Sequence, residues 1–170
     1  MDYAQIIKEV GRGKNHARDI SLEQAEALFD AMLAGKIPEL ELGGVLIGLR
    51  IKGEAEQEML GFYRSMQKWA PKLELPKGMP MPVVIPSYNG ARKQANLTPL
   101  LAMLLAREGV PVLVHGVSED PSRVTSAEIF RGLGITATQN LQNIDWHTGK
   151  PIFIGVEHLS LEMYQILSLR

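Results

Sequence analysis

Residues 71–82, PKLELPKGMPMP, place four prolines and one glycine in a single short stretch. Each proline lacks an amide donor and locks φ, so neither a continuous helix nor a central strand can cross this segment. The chain must therefore divide here. On either side the apolar residues follow different rhythms, helical before residue 71 and alternating strand and helix after residue 82. The reading is a helical unit over 1–70, a linker over 71–82 and an α/β unit over 83–170.

In the first unit, SLEQAEALFDAMLAGK opens with Ser21 as N-cap and Gln24 three positions on, a capping box, and closes at Gly35 in the C′ position. Ala25, Leu28, Phe29, Met32 and Leu33 then share one face. Pro38 opens the next helix in its tolerated first turn. LGGVLIGLRI is apolar almost all round, which predicts burial on several sides, and Gly44 and Gly48 permit close approach of another helix. Glu54 begins a third segment whose Met59, Leu60, Phe62, Tyr63 and Met66 predict an inward apolar stripe.

In the second unit, PVVIP reads as a strand, LTPLLAMLLAREG as a helix ending at Gly109, and VPVLVHG as a buried strand. TSAEIFRGLG is a helix with a capping box from Thr125 to Glu128, PIFIGV a third strand, and SLEMYQILSLR a last amphipathic helix. Strands alternating with helices imply crossover connections and a parallel sheet. The predicted class is α/β: a helical bundle unit followed by a small parallel βαβαβ unit.

Composition narrows the function. A net charge of −1 means that affinity for a polyanion must come from local clustering. With no cysteine there is no disulfide framework, which suits a reducing compartment. The start, MDYAQIIKEVGRG, lacks a signal-peptide core, and nowhere do apolar residues run long enough to span a bilayer. The expectation is a cytoplasmic protein with no membrane partner.

Ligands of open parallel sheets gather beyond the carboxyl ends of the strands. Three loops reach that edge: 86–97, 115–124 and 155–160. The first offers Asn89 and Gly90 for a tight turn, the cations Arg92 and Lys93, and Asn96 as cap of a helix containing Thr98 and Pro99. No acid occurs between Pro82 and Arg107, so these cations have no local partner in sequence and suit a phosphate. The second loop carries His115, Glu119, Asp120 and Arg123. His115 reads first as a hydrogen-bonded structural residue, and Glu119–Asp120 as a turn and cap before a magnesium pair. A second basic cluster, KEVGRGKNHARD, supplies Lys8, Arg12, Lys14, His16 and Arg18, opposed only by Glu9 and Asp19. It can follow a phosphate backbone or be a solvated inter-helix loop. Trp69 and Tyr88 are candidate stacking surfaces, and Trp146-His147 reads as a helix end before Gly149. Nucleophile elbow, Walker loop, zinc spacing and dinucleotide fingerprint are all missing.

GKIPELELGGVLIGLRIKGEAEQEMLGF, with its Arg50–Glu54 element, resembles the helical-domain signature of the anthranilate phosphoribosyltransferase family, glycosyltransferase family 3. IPSYNGARKQANLTPLL and VHGVSEDPSRV are similar to its YbiB-like branch, whose members share the transferase fold and bind nucleic acid without sequence preference. The resemblance implies an incomplete phosphoribosyltransferase-like fold, the chain covering the N-terminal half, and a homodimer formed through the helical domain. It also locates the departures. The family's glycine-rich loop ending in aspartate falls on Ser87–Ala91, where only Gly90 remains. Its Asn-x-Ser-Thr phosphate element falls on Asn96–Pro99, keeping Asn96 and Thr98. Its Lys-His-Gly-Asn-Arg strand end falls on Val114–Ser118, without the cations.

The reading is thus a nonenzymatic DNA- or RNA-binding relative using Asn89, Gly90, Arg92, Lys93, Asn96, Thr98, His115, Arg12, Lys14, His16 and Arg18, with no cofactor. The alternative is a phosphoribosyltransferase acting on an aromatic amine or base, with magnesium and phosphoribosyl pyrophosphate. A three-stranded sheet ending on an apolar helix is also expected to leave apolar surface for a partner.

Overall fold

The structure, a computed structural model, describes residues 2–13, 15–90 and 94–169. Arg92, Lys93 and Lys14 lie outside the described residues. Two compact units divide the chain, the boundary falling between Ala70 and Pro71, with the residues from Gln165 on returning to the first unit.

The helical unit contains α1 (Tyr3–Val10), α2 (Leu22–Leu33), α3 (Glu39–Lys52) and α4 (Glu56–Trp69). Ser21 and Gln24 form the predicted capping box on α2, and Gly35 takes a φ of 64° just beyond its end. Ala25, Leu28, Met32 and Leu33 are buried, as their shared face requires. Val10, Leu28, Val45 and Leu49 belong to one apolar core, against which Ile166 also packs.

Two helices of this unit depart from the expectation. Pro38 is the N-cap of α3 rather than a residue of its first turn. That helix buries only Leu42, Val45, Gly48 and Leu49, leaving Leu40, Ile47 and Ile51 exposed. A Cβ at Gly44 would meet Ile7 at 3.3 Å and one at Gly48 would meet Val10 at 2.9 Å, so the glycines admit α1 closely. In α4 the expected stripe is split: Phe62 packs against the core and Phe29, but the most buried positions are others. Glu58, Gly61 and Ser65 are buried, while Met59, Leu60 and Tyr63 face out. Close approach explains it: a Cβ on Gly61 would lie 2.5 Å from the Leu22 carbonyl oxygen of α2. Periodicity marks a stripe, but helix-to-helix distance decides which stripe goes inside.

The α/β unit contains β1 (Val83–Ser87), α5 (Thr98–Arg107), β2 (Val112–Gly116), α6 (Ser126–Gly132), β3 (Ile152–Gly155), α7 (Val156–Leu159) and the start of α8 (Leu161–Ser168). The sheet has the order β1-β2-β3 with both pairs parallel, as expected. Val112, Val114, Ala102, Phe130 and Phe153 pack on one face, and Leu113, Trp146 and Ile154 on the other. The stretch expected as a linker is part of this unit, because Leu73, Leu75 and Met79 lie against the second cluster. Trp146, expected at a helix end, is 9% exposed in that cluster and stands in a turn, where the Asp145 carboxylate accepts from the His147 amide. No helix among the described residues is long and apolar enough to cross a membrane.

Candidate anion-binding edge of the sheet

Because all three strands run the same way, the segments following them meet at one edge. Gly116 is needed at the end of β2, since a Cβ there would fall 2.0 Å from the Ser87 carbonyl oxygen of β1. Ser87 and Ser126, both buried, share a hydrogen bond of 2.7 Å between their hydroxyls. Asn96 donates from Nδ2 to Ser126 Oγ at 3.1 Å and to the Val124 carbonyl at 3.4 Å, while its Oδ1 accepts from the Thr98 amide at 3.2 Å. The helix cap assigned to it therefore falls to Leu97, which makes no side-chain cap bond. Asn96 instead stitches the first loop to the second.

Asn89 and Gly90 complete that seam. Arg123 donates from Nη1 to Asn89 Oδ1 at 3.0 Å. A Cβ on Gly90 would lie 2.6 Å from the Val124 carbonyl oxygen, so glycine is required by the close approach of two loops. Its φ is not positive, so close packing rather than a left-handed backbone calls for glycine here. On the far side, Ser118 Oγ donates to Glu157 Oε1, joining the second loop to α7.

His115, the fourth residue of β2, is half-buried, with Nδ1 2.9 Å from the Tyr88 hydroxyl and the two rings edge to face. Burial lowers the imidazole pKa and raises the Tyr88 phenol to about 12. Both shifts favour the neutral forms, so His115 brings a hydrogen-bonding group to the edge and Tyr88 is occupied in holding it. Asp120 accepts on Oδ1 from the amide and hydroxyl of Ser122, a turn that, followed by the Arg123 charge, holds its carboxyl below the usual range.

Arg123 is the cation of the second loop to which the sequence alone assigned no role. Among the described residues no carboxylate oxygen lies within 4.0 Å of any of its nitrogens. Its position three residues beyond Asp120, in a loop facing an acid-free stretch, was the available signal.

The N-terminal cluster is arranged differently. Arg12 meets Glu9 at 3.3 Å and also donates to the Lys8 carbonyl, and Arg18 lies 4.0 Å from the second oxygen of Glu9. His16 is exposed. Asp19 is drawn away to Lys52 at 2.7 Å. Glu9 alone thus faces two of the cations expected to be available for phosphate, and its single charge offsets one of them. Trp69 donates from its indole to Asp30 at 3.1 Å, a structural bond of the helical unit.

A helical bundle joined to a parallel sheet whose strand-end loops form such an edge has counterparts among known proteins. Residues 4–70 match the family described as glycosyl transferase family, helical bundle domain. The chain is related to the anthranilate phosphoribosyltransferases: it is 35% identical over 123 residues to the enzyme of that name from Rhodopirellula baltica, covering 71% of this chain and 36% of that one. It is 58% identical over 174 residues to the protein YbiB of Escherichia coli (strain K12), covering 100% of this chain and 54% of that one. The fold is that of anthranilate phosphoribosyltransferase from Thermus thermophilus, with a TM-score of 0.71 at 22% identity over 96% of this chain and 50% of that one. The chain spans about half the length of YbiB and of that structure, and about a third of the Rhodopirellula enzyme.

Proposed function

We propose that this chain is a nonenzymatic nucleic-acid binder that holds the phosphate backbone, without sequence preference, along the strand-end edge of its α/β unit. One observation carries the reading: the described cation of that edge, Arg123, is held by a neutral amide and has no carboxylate within 4.0 Å among the described residues. The sequence adds Arg92 and Lys93 to the loop that supplies Asn89, in a stretch with no acid from Pro82 to Arg107. Guanidinium and ammonium groups so placed attract phosphate by charge-assisted hydrogen bonds. Backbone contacts of this kind are blind to sequence. Cytoplasmic residence agrees with a chain devoid of cysteine.

Homodimerisation belongs to the same proposal. Ile47 and Ile51 of α3 and Met59, Leu60 and Tyr63 of α4 are exposed apolar side chains of the helical unit, an expense in water that a second copy relieves. Two edges on one particle add avidity for a polymer. Fluorescence anisotropy with labelled DNA and RNA oligonucleotides at several salt concentrations tests the reading. Affinity falls linearly with salt on logarithmic axes and is lost in the variant carrying Arg92→Glu, Lys93→Glu and Arg123→Glu. Binding that ignores salt, or survives the triple reversal, removes the phosphate contacts.

The relatives' name favours a second reading, transfer from phosphoribosyl pyrophosphate to an aromatic amine, for which Asn96 and Thr98 are retained. The edge fits it less well. Both ends of the Asn96 amide are already bonded. Magnesium finds a poor donor set too, since Asp120 Oδ1 serves Ser122, and among the described residues no three metal-ligating side chains cluster. Calorimetry with magnesium and millimolar phosphoribosyl pyrophosphate decides: heat of binding revives the transferase, its absence retires it.

A further inference from the structure

The amide that tethers Arg123 is itself reactive. Of the asparagines at 15, 89, 96, 140 and 143, only Asn89 is followed by glycine. The main-chain nitrogen after an asparagine can attack the side-chain amide, because closing a five-membered ring needs no encounter between separate molecules. A Cβ on the attacking residue obstructs the approach, and glycine has none. The fold leaves this step open. Asn89 is exposed and lies two residues beyond the end of β1, and among the described residues the Gly90 amide donates no hydrogen bond. Asn96, by contrast, precedes leucine and has both ends of its amide bonded. Arg123 assists at the other end of the reaction. Its Nη1 donates at 3.0 Å to Asn89 Oδ1, the oxygen on which negative charge develops as the nitrogen attacks Cγ. A guanidinium holds that developing charge more strongly than it holds the neutral amide.

We propose that Asn89 is a deamidation site, and that its conversion to a carboxylate withdraws the charge of Arg123 from the edge, an inference that rests on the edge being a phosphate contact. Hydroxide takes the Gly90 amide proton, the nitrogen bonds to Cγ, and the Cγ–Nδ2 bond breaks as ammonia leaves with a proton from water. Water then opens the cyclic imide, at Cγ to give aspartate or at the main-chain carbonyl to give isoaspartate. The sum is one amide and one water converted to a carboxylate and ammonium, with nothing oxidised or reduced. The new carboxylate faces Arg123 and neutralises the guanidinium that the amide only oriented, while its own charge repels phosphate. Isoaspartate also lengthens the main chain by one carbon, directly before the residue that must fit against the Val124 carbonyl. Both products therefore weaken the edge.

The test ages the full chain in mildly alkaline buffer and follows it by peptide-mapping mass spectrometry. Asn89 is expected to convert about tenfold or more faster than any other asparagine. The aged protein, and Asn89→Asp made directly, should each lower the slope of log oligonucleotide affinity against log salt by about one. Asn89→Gln, whose longer side chain must close a larger ring, should keep on ageing whatever slope it starts with. In Asn89→Asp, titration followed by NMR should place the new carboxyl below the ordinary aspartate range, because Arg123 faces it. Conversion no faster at Asn89 than elsewhere overturns the proposal, as does a carboxyl that titrates at the ordinary value. An aged protein with the salt slope of fresh protein overturns it too. Fresh protein that binds no oligonucleotide overturns the phosphate reading instead, and the mass and NMR results then still decide the chemistry at Asn89 and Arg123.

Discussion

In the helical unit Arg12 and Arg18 converge on Glu9, Lys52 lies between Asp19 and Glu58, and Lys68 between Glu26 and Asp30. On the strand-end edge of the α/β unit Arg123 is positioned by the neutral amide of Asn89, with Asp120 acting on it only through space. Both regions read as basic in the sequence. The difference lies in how each cation is held: a carboxylate neutralises what it orients, whereas an amide orients a guanidinium and leaves its charge for a ligand. Cations of the first kind hold helices together, and those of the second kind are available to an anion.

Lys52 gives the sharpest way to break this division. Its ammonium donates to Asp19, to the Gly53 carbonyl and to Glu58, whose buried carboxylate also accepts from the Ile20 and Ala55 amides. Lys52→Met strands that carboxylate and should cost about 3–5 kcal/mol in urea unfolding. Anisotropy with oligonucleotides, measured on the protein that remains folded, should not change. Burial lowers the Lys52 pKa, but its hydrogen bonds to Asp19 and Glu58 outweigh this and leave it raised. The stability it contributes is therefore fully present below the ordinary lysine value and is lost only as alkaline pH passes through the higher folded value. A Lys52→Met protein of normal stability and weakened nucleic-acid binding would place this cation with the ligand and erase the division.

Asn96→Ala is next in size. It removes the donor to Ser126 and Val124 and the acceptor for the Thr98 amide, a loss of about 1–2 kcal/mol on the same assay. Unchanged stability would mean that the seam between the first two loops is not holding the edge.

Much of this architecture was legible because its signals are local. The capping boxes at Ser21 and Thr125, the left-handed glycines 35 and 109 and the β-branched runs of β1 and β2 each depend on residues within a few positions of one another. What was misread depends on distance across the fold. Met59, Leu60 and Tyr63 form a good stripe, yet Gly61 and Ser65 form the one that lets α4 approach α2. Leu73 and Trp146 look like linker and helix end, and both pack on the sheet. The same limit applies to the site. Asn89, Gly90, Asn96 and His115 lie in the strand-end segments where the sequence placed them, but their partners, Arg123, Val124, Ser126 and Tyr88, lie up to 34 positions away and only folding pairs them.

Arg123→Ala separates the two kinds of cation directly. Losing one phosphate contact should lower the slope of log affinity against log salt by about one. Arg12→Ala with Arg18→Ala should lower that slope by no more than about one, since Glu9 offsets only one of the two charges. A larger loss from the N-terminal pair than from Arg123 would reverse the assignment and move the contact surface to the helical unit.

The smallest effect is expected from His115, whose contribution to the edge is shape rather than charge. Its folded-state pKa is lowered by burial, so the unfolded chain binds a proton first as pH falls. Stability should decline as acid passes the ordinary histidine value and level off below the lower folded one. His115→Gln, which keeps a polar group beside Tyr88, should flatten that part of the curve of melting temperature against pH while leaving the salt slope of oligonucleotide binding intact. Equal pH curves for the two proteins would show that the imidazole is charged or solvated in the fold. His115 would then join Arg123 among the cations open to a ligand, and the edge would bind polyanions more tightly as pH falls.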